Sequence, residues 1–228
     1  MSVQKGDFVE LDYAGRLAES GAVFDATSEQ IAKKEGIHNE RGTYGPRIIC
    51  VGEHQIVAGL DAFLIGKEEK KDYTVTLHAE QAFGKKDPKL LKIVPSSVFL
   101  KQNIKPIPGL RVTINGMLGT IKTGSGGRVI VDFNHPLAGH DVTYHVNIVR
   151  VLTTLEEKVG AVTRFFFGQE AMAEVKDGEC TVQVKLPAEF HERFALEIQR
   201  LIPALKKVRF VDPAEKKEGK SQKEKPDK

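Results

Sequence analysis

The chain has 228 residues, of which 40% are hydrophobic and 29% are charged, the ordinary balance of a soluble globular protein. Its formal net charge of +3 is too small to indicate a nucleic-acid-binding protein, and no apolar run approaches the roughly 18 residues of a membrane span. Cys50 and Cys180 are too few for a disulfide framework and no apolar leader follows Met1, so we expect a cytoplasmic protein with two buried thiols.

The first predicted strand begins at Phe8. Val9, Leu11 and Tyr13 alternate with polar residues, which is the period of a half-buried strand, so Tyr13 should point inward. A second strand, Ala22–Asp25, should follow the turn and end on the neighbouring side chains of Phe24 and Asp25.

Two further elements precede the central part of the chain. Thr27 and Gln30 have the spacing of a capping box, which predicts a short helix that ends near Gly36. Arg47–Val51 then predicts a third strand.

The stretch Gly52–Gly66, with the sequence GEHQIVAGLDAFLIG, predicts a short apolar helix. Its apolar residues recur at helical spacing, namely Ile56, Leu60, Phe63 and Leu64. Periodicity alone would indicate only a helix buried in a core. Tyr73, Val75 and Leu77 alternate after it as a fourth strand.

The composition changes between residues 87 and 134. Prolines accumulate there, and Asn115-Gly116 stands between apolar β-formers, which is a strong signal for a hairpin. Alternation resumes at Thr143–Leu152, where Tyr144, Val146 and Ile148 should share one face. A strand that returns after so long an excursion indicates an inserted β-rich domain.

A different pattern follows Thr154. Two amphipathic helical segments enclose a hairpin centred on Asp177-Gly178, and a short strand comes last. We therefore predict four parts: a main domain at 1–86 with 135–152, an insert at 87–134, an α+β module at 154–212 and a disordered, charged tail at 213–228.

Four motifs in fixed order carry a family resemblance: GAVFDAT at 21–27, the helix stretch at 52–66, EQAFG at 80–84 and YHVNIVRVL from Tyr144. In order and spacing they resemble the FKBP-type peptidyl-prolyl isomerases. The resemblance covers about the first two-thirds of the chain. It implies an α+β fold in which an antiparallel half-barrel wraps around a short helix.

The resemblance also implies a hydrophobic site. The positions that match its catalytic groove are Tyr13, Phe24, Asp25, Ile56, Val57, Leu60, Phe83 and Tyr144, with Ile49 as a side wall. Three positions depart from the common pattern: Leu60 stands where eukaryotic members often have Trp, Arg47 where they have an aromatic residue, and Phe83 where Tyr is common. No cofactor is implied, because such a groove accelerates rotation about a prolyl bond without forming a covalent bond.

The insert resembles that of the SlyD-type and archaeal long-chain members, in which the corresponding segment binds unfolded chains. Its apolar candidates for substrate binding are Ile93, Val94, Val98, Phe99 and Leu110. The predicted function is thus that of an isomerase and folding chaperone, and its partners would be unfolded chains that contain proline. The alternative is a holdase that binds unfolded chains without significant isomerase activity.

Three other features were weighed. His135, His140 and His145 do not have the spacing of a convergent metal site, so we predict no metal. The lysine-rich tail also carries acidic residues and no interleaved aromatic residue, which argues against nucleic acid as a partner. Phe165, Phe166 and Phe167 exceed what one small module can bury, which predicts either a homodimer or docking onto the main domain.

Overall fold

The computed structural model describes residues 1–213. Apart from its first residue, the tail predicted at 213–228 lies outside the described residues. The strands are β1 Phe8–Leu17, β2 Val23–Ala26, β3 Arg47–Cys50, β4 Lys71–Leu77, β5 Leu91–Pro95, β6 Arg111–Ile114, β7 Met117–Ser125, β8 Arg128–Asp132, β9 Val142–Val151, β10 Met172–Lys176, β11 Glu179–Gln183 and β12 Lys207–Val211. The helices are α1 Glu29–Lys34, α2 Ala58–Leu64, α3 Ser96–Leu100, α4 Leu155–Phe167 and α5 His191–Leu201, and 3₁₀ turns span Ala79–Gln81, Pro88–Leu90 and Ala188–Phe190.

The fold is mixed α+β, as predicted, with strands that are antiparallel except for the pairing of β11 with β12. The main sheet has the order β2-β1-β9-β4, and β3 also pairs with β1. Its inward face carries Leu11 and Tyr13 from β1 and Tyr144 and Val146 from β9. The sheet therefore presents strands that are distant in sequence to one apolar core.

Helix α2 packs in that core through Leu60 and Leu64. It is shorter than predicted, because residues 52–57 form a loop that a buried carboxylate holds in place. Asp61 is 2% exposed, and its two oxygens accept hydrogen bonds from the backbone N–H groups of Gly52 at 2.8 Å and His54 at 3.0 Å. The two hydrogen bonds to Asp61 thus fix the loop that leads into the helix.

The predicted capping box at Thr27 is wrong. Helix α1 is capped by the next residue, Ser28, whose hydroxyl accepts a hydrogen bond from the Ile31 N–H. The Thr27 hydroxyl is committed elsewhere, since it donates to Asp12 and accepts from the Tyr13 N–H at 2.8 Å. Hydrogen bonds between the Thr27 hydroxyl and β1 therefore outweigh the local helix signal.

Residues 91–132 form a second sheet, with the order β5-β8-β7-β6. The hairpin predicted at Asn115-Gly116 is confirmed: both residues have positive φ, 50° and 78°, as a type I′ turn requires. This sheet has its own small core, which includes Phe99, Ile121 and Val131. The two chain segments that connect this sheet to the main domain meet where Asn134 Oδ1 accepts a hydrogen bond from the Asp87 N–H at 2.8 Å.

The C-terminal module consists of α4, the sheet β10-β11-β12 and α5. Its core is continuous with residues of the main domain: Phe8, Cys50 and Leu152 pack in the same cluster as Val159 and Val162 of α4. Two ion pairs cross the same boundary, each at 2.6 Å, and they join Arg150 to Glu157 and Arg200 to Glu53.

The module therefore docks onto the main domain of its own chain, which was one of the two alternatives predicted from its aromatic residues. A homodimer stays a prediction. Within residues 1–213, no helix is both long and apolar enough to cross a membrane.

Candidate active site

A pocket of about 290 Å³ opens between the main sheet and the loop that enters α2. Leu60 of α2 is 1% exposed and forms its floor. The other lining residues are Tyr13, Asp25, Arg47, Ile48, Ile49, Gln55, Ile56, Val57, Phe83, Tyr144 and Phe165. The volume lies just below the range of roughly 300–1,000 Å³ for small-molecule sites, so it suits a small ring with part of a peptide rather than a large cofactor.

Aromatic rings meet edge to face on one side of the pocket. The Phe24 ring lies 5.6 Å from that of Phe83 and 5.8 Å from that of Tyr144, and Tyr144 lies 5.9 Å from Tyr13, all measured between centroids. His135 stacks on the outer face of Phe83 at 4.8 Å. Such edge-to-face contacts restrict the orientation of each ring, so this wall is rigid as well as apolar.

The wall can form because Gly15 of β1 has no side chain. A Cβ atom at Gly15 would lie 2.6 Å from the Phe24 ring and 2.9 Å from the Tyr144 ring. Gly15 pairs with both Asp25 and Tyr144 in the sheet. The register of the sheet therefore places the aromatic wall and the Asp25 carboxylate side by side.

Tyr13 and Asp25 form a polar edge on the pocket. The Tyr13 hydroxyl donates a hydrogen bond to Asp25 Oδ2 at 3.0 Å. Burial, and then the Asp25 carboxylate, raise the pKa of Tyr13 to about 12, and burial also raises the pKa of Tyr144. Both phenols are therefore neutral hydrogen-bond donors at physiological pH.

Val57 offers a free backbone donor at the mouth of α2. It is the N-cap residue, and its N–H donates to no acceptor within residues 1–213. Its neighbours Ile56 and Leu60 line the same pocket. An N–H group in that position can bind the carbonyl oxygen of a ligand, since unpaired backbone donors are costly when a ligand excludes water.

The structure brings the predicted residues together. Eight of the nine line the pocket, and Phe24 contacts two of them from behind. Sequence reasoning missed Ile48, Gln55, His135 and Phe165 as site residues and treated Arg47 only as a departure from the family pattern. For Phe165 the one available signal was the excess of aromatic residues in its helix.

The comparisons with known proteins agree with this geometry. The family model described as "FKBP-type peptidyl-prolyl cis-trans isomerase" matches residues 1–101. A protein of Methanocaldococcus jannaschii named "Short-type peptidyl-prolyl cis-trans isomerase" is 30% identical over 146 residues, which are 64% of this chain and 92% of that protein. The chain belongs to the FKBP-type peptidyl-prolyl cis-trans isomerases.

Other relatives lead to the same family. A probable FKBP-type 16 kDa isomerase of Pseudomonas fluorescens is 32% identical over 63% of this chain and 87% of its own length. The isomerase SlyD of Vibrio cholerae is 29% identical over 57% of this chain and 67% of its own length. A second family model, described as "FKBP26, IF domain", matches residues 92–137, which include most of the second sheet.

The insert candidates of this isomerase occupy different positions. Ile93 is 64% exposed and Leu110 is also exposed, whereas Val94 and Val98 are half-buried against the core of the insert. Phe99 is 1% exposed at the centre of that core, so its assignment to substrate binding is wrong for this conformation. The pattern did not reveal six exposed apolar residues of the insert: Leu90, Leu91, Leu100, Ile107, Met117 and Leu118.

The three histidines considered as ligands point to separate partners. His135 stacks on Phe83, His140 lies 3.6 Å from Glu19, and His145 shares a hydrogen bond of 2.9 Å with Thr74. Residues 1–213 contain no group of His, Cys, Asp and Glu arranged to hold a metal ion.

A larger apolar groove of about 640 Å³ lies on the C-terminal module of the isomerase. Its walls include Phe166, Phe190 and Phe194. It contains none of the residues that match the family's groove, so we take the smaller pocket as the candidate active site.

Proposed function

We propose that this isomerase accelerates proline-limited protein folding, with catalysis in the pocket above Leu60 and capture of unfolded chains by the insert. The carrying observation is that three predicted apolar residues, Leu60, Phe83 and Tyr144, line one small hollow beside the unpaired N–H group of Val57. Phe24 packs behind Phe83 and Tyr144.

The chemistry requires no nucleophile. An X–Pro bond rotates over a barrier of about 18–20 kcal/mol, because rotation breaks amide resonance. The planar amide is more charge-separated than the twisted amide, so a dry apolar pocket raises the energy of the planar form relative to the twisted one. The proline ring would lie on Leu60 between the aromatic rings.

Polar groups would orient the two sides of the rotating bond. The Val57 N–H would hold a substrate carbonyl, which fixes one side. The Asp25 carboxylate and the Tyr13 hydroxyl form an edge toward which the rotating carbonyl can turn. Catalysis then consists of positioning and desolvation, with no change of charge on the enzyme.

The insert supports a chaperone role through its exposed apolar side chains. Ile93 lies on β5, an edge strand of the second sheet, and Leu100, Met117 and Leu118 are each more than half exposed. Such side chains can bind extended apolar segments, and a tethered client raises the local concentration of its prolines at the pocket. We also propose a cytoplasmic location, since Cys50 and Cys180 are free thiols.

Excision of the insert tests this division of labour. Residues 88–133 can be replaced by a short glycine linker, because Asp87 and Asn134 are already hydrogen-bonded to each other. His135, which stacks on Phe83, is retained. We expect turnover of an X-Pro tetrapeptide within about twofold of the full chain, and refolding catalysis of a proline-limited protein to fall by about tenfold or more.

A milder variant of the full chain serves as a second test. Leu100, Met117 and Leu118 are changed to Ser together, and Leu196→Ser, an exposed site on the C-terminal module, is the matched control. Only the triple variant should slow catalysed refolding. Equal loss in the peptide and refolding assays would refute separate roles, and suppression of client aggregation by a chain that turns over no X-Pro peptide would favour the holdase alternative.

A further inference from the structure

One residue of the active-site pocket comes from outside the main domain. Phe165 belongs to α4 of the C-terminal module, and it lines the pocket together with Arg47, Ile48 and Gln55. Phe165 is 55% exposed, so part of its surface is open to a ligand. The two following aromatic residues, Phe166 and Phe167, pack instead toward the core of the module.

The helix that carries Phe165 is packed against the main domain. Val159 and Val162, on the buried face of α4, pack in one core with Phe8 and Leu152 of the main domain. The Phe165 ring itself lies edge to face on Phe166, at 5.3 Å between centroids. Phe165 therefore projects from a helix whose other face is packed against the main domain.

The pocket has two distinct ends. On β1, Leu11 pairs with Arg47 and Gly15 pairs with Asp25, so Arg47 and Asp25 enter the sheet four residues apart, or roughly 13 Å. Ile48, the neighbour of Arg47, packs against the core of the C-terminal module. Phe165 therefore stands at the β3 end of the pocket, and Asp25 and Phe83 stand at the other.

A proline held over Leu60 has a neighbouring residue on each side. One of them reaches toward Asp25, and the other reaches the β3 end, where Phe165 is the aromatic group and Arg47 and Gln55 are polar. An apolar side chain there would cover the exposed part of the Phe165 ring. A short polar side chain would leave the ring in water.

We propose that Phe165 is a specificity-determining residue: its ring contacts an apolar side chain next to the substrate proline, so the C-terminal module forms part of the substrate-binding site. The proposal rests on the assignment of this pocket as the active site. It assigns to the module a direct role in choosing which X–Pro bonds react.

The test is the selectivity of the full chain carrying Phe165→Ala. Isomerisation is measured on two peptide series, Ala-Xaa-Pro-Phe and Ala-Leu-Pro-Xaa, in which Xaa is Ala, Glu, Leu or Phe. In one of the two series we expect kcat/KM for Leu and Phe to fall by about tenfold and the value for Ala to stay within about twofold, since one apolar contact is worth about tenfold or more in discrimination. Phe165→Leu should restore part of the selectivity.

Leu196→Ala is the matched control. Leu196 is 61% exposed on α5 of the same module, and it does not line the pocket. It should leave both series unchanged. A direct binding readout uses the absence of tryptophan from the chain: Ala-Leu-Pro-Phe should shift the emission of Phe165→Trp and leave that of Leu196→Trp unchanged.

Unchanged selectivity of Phe165→Ala in both series would overturn the proposal. An emission spectrum of Phe165→Trp that does not change when the peptide is added would overturn it too. Either result leaves the pocket assignment standing if Asp25→Ala still slows the reaction. A wild-type chain that fails to isomerise any of these peptides would overturn both ideas together.

Discussion

Tyr13 is held as a neutral phenol at the edge of the proposed active site. Its hydroxyl donates to Asp25, and burial is the largest cause that raises its pKa to about 12. An unfolded chain would release this proton near pH 10. Between pH 10 and about 12 the unfolded chain therefore binds fewer protons at this site than the folded protein, so the contribution of Tyr13 to stability is complete below pH 10 and is lost across that interval.

The loss of stability expected between pH 10 and about 12 gives a prediction for Tyr13→Phe. The difference between the near-ultraviolet pH titrations of the wild-type protein and the variant isolates one phenol, which should ionise near pH 12. The free energy of unfolding should also fall less steeply between pH 10 and 12 in the variant, because the titrating group is gone. A difference curve centred at pH 10 would contradict the proposed environment of Tyr13.

At the scale of elements, β1 determines the shape of the pocket. Gly15 lies beneath two of its rings, and Gly119 of β7 has a similar place in the insert, where a Cβ would lie 2.7 Å from Val131 and 2.8 Å from the Phe133 ring. Both glycines are buried within strands. They form a matched pair, one beside the active site and one remote from it.

We expect Gly15→Ala and Gly119→Ala to destabilise the protein to a similar extent, about 1–3 kcal/mol, because each overpacks a filled site. Only Gly15→Ala should lower kcat/KM on an X-Pro peptide, by about tenfold or more, since it displaces Phe24 and Tyr144. Urea unfolding and the peptide assay measure the two effects. Full activity in Gly15→Ala would show that the positions of these rings do not matter.

Local sequence patterns predicted which strands and turns form better than they predicted where helices begin and which side chains are buried. Alternation identified the strands of the main sheet, and Asn115-Gly116 identified a hairpin, because strand period and turn geometry are local properties. The start of α1 was misassigned because the Thr27 hydroxyl bonds Asp12, a partner 15 residues away. Phe99 was misassigned because periodicity does not distinguish the inner from the outer face of a small domain.

At the scale of the whole molecule, the C-terminal module completes a core that the main domain leaves open. Phe8, Cys50 and Leu152 are buried against it, and Ile48 contacts both this core and the pocket. The predicted pocket was recoverable because its residues follow a family order. Phe165 could not be predicted as a pocket residue, because it belongs to the C-terminal module and no family motif connects that module to the pocket.

The most direct test of the account is the rate of cis–trans isomerisation of a Phe-Pro peptide by the full chain. Asp25 and Phe83 are both partly exposed, so Asp25→Ala with Phe83→Ala should leave the unfolding transition nearly intact. We predict that the full chain accelerates the exchange and that the double variant loses roughly 100-fold in kcat/KM, about tenfold for each contact. A folded double variant with an undiminished rate would contradict the assignment of this pocket as the site of catalysis.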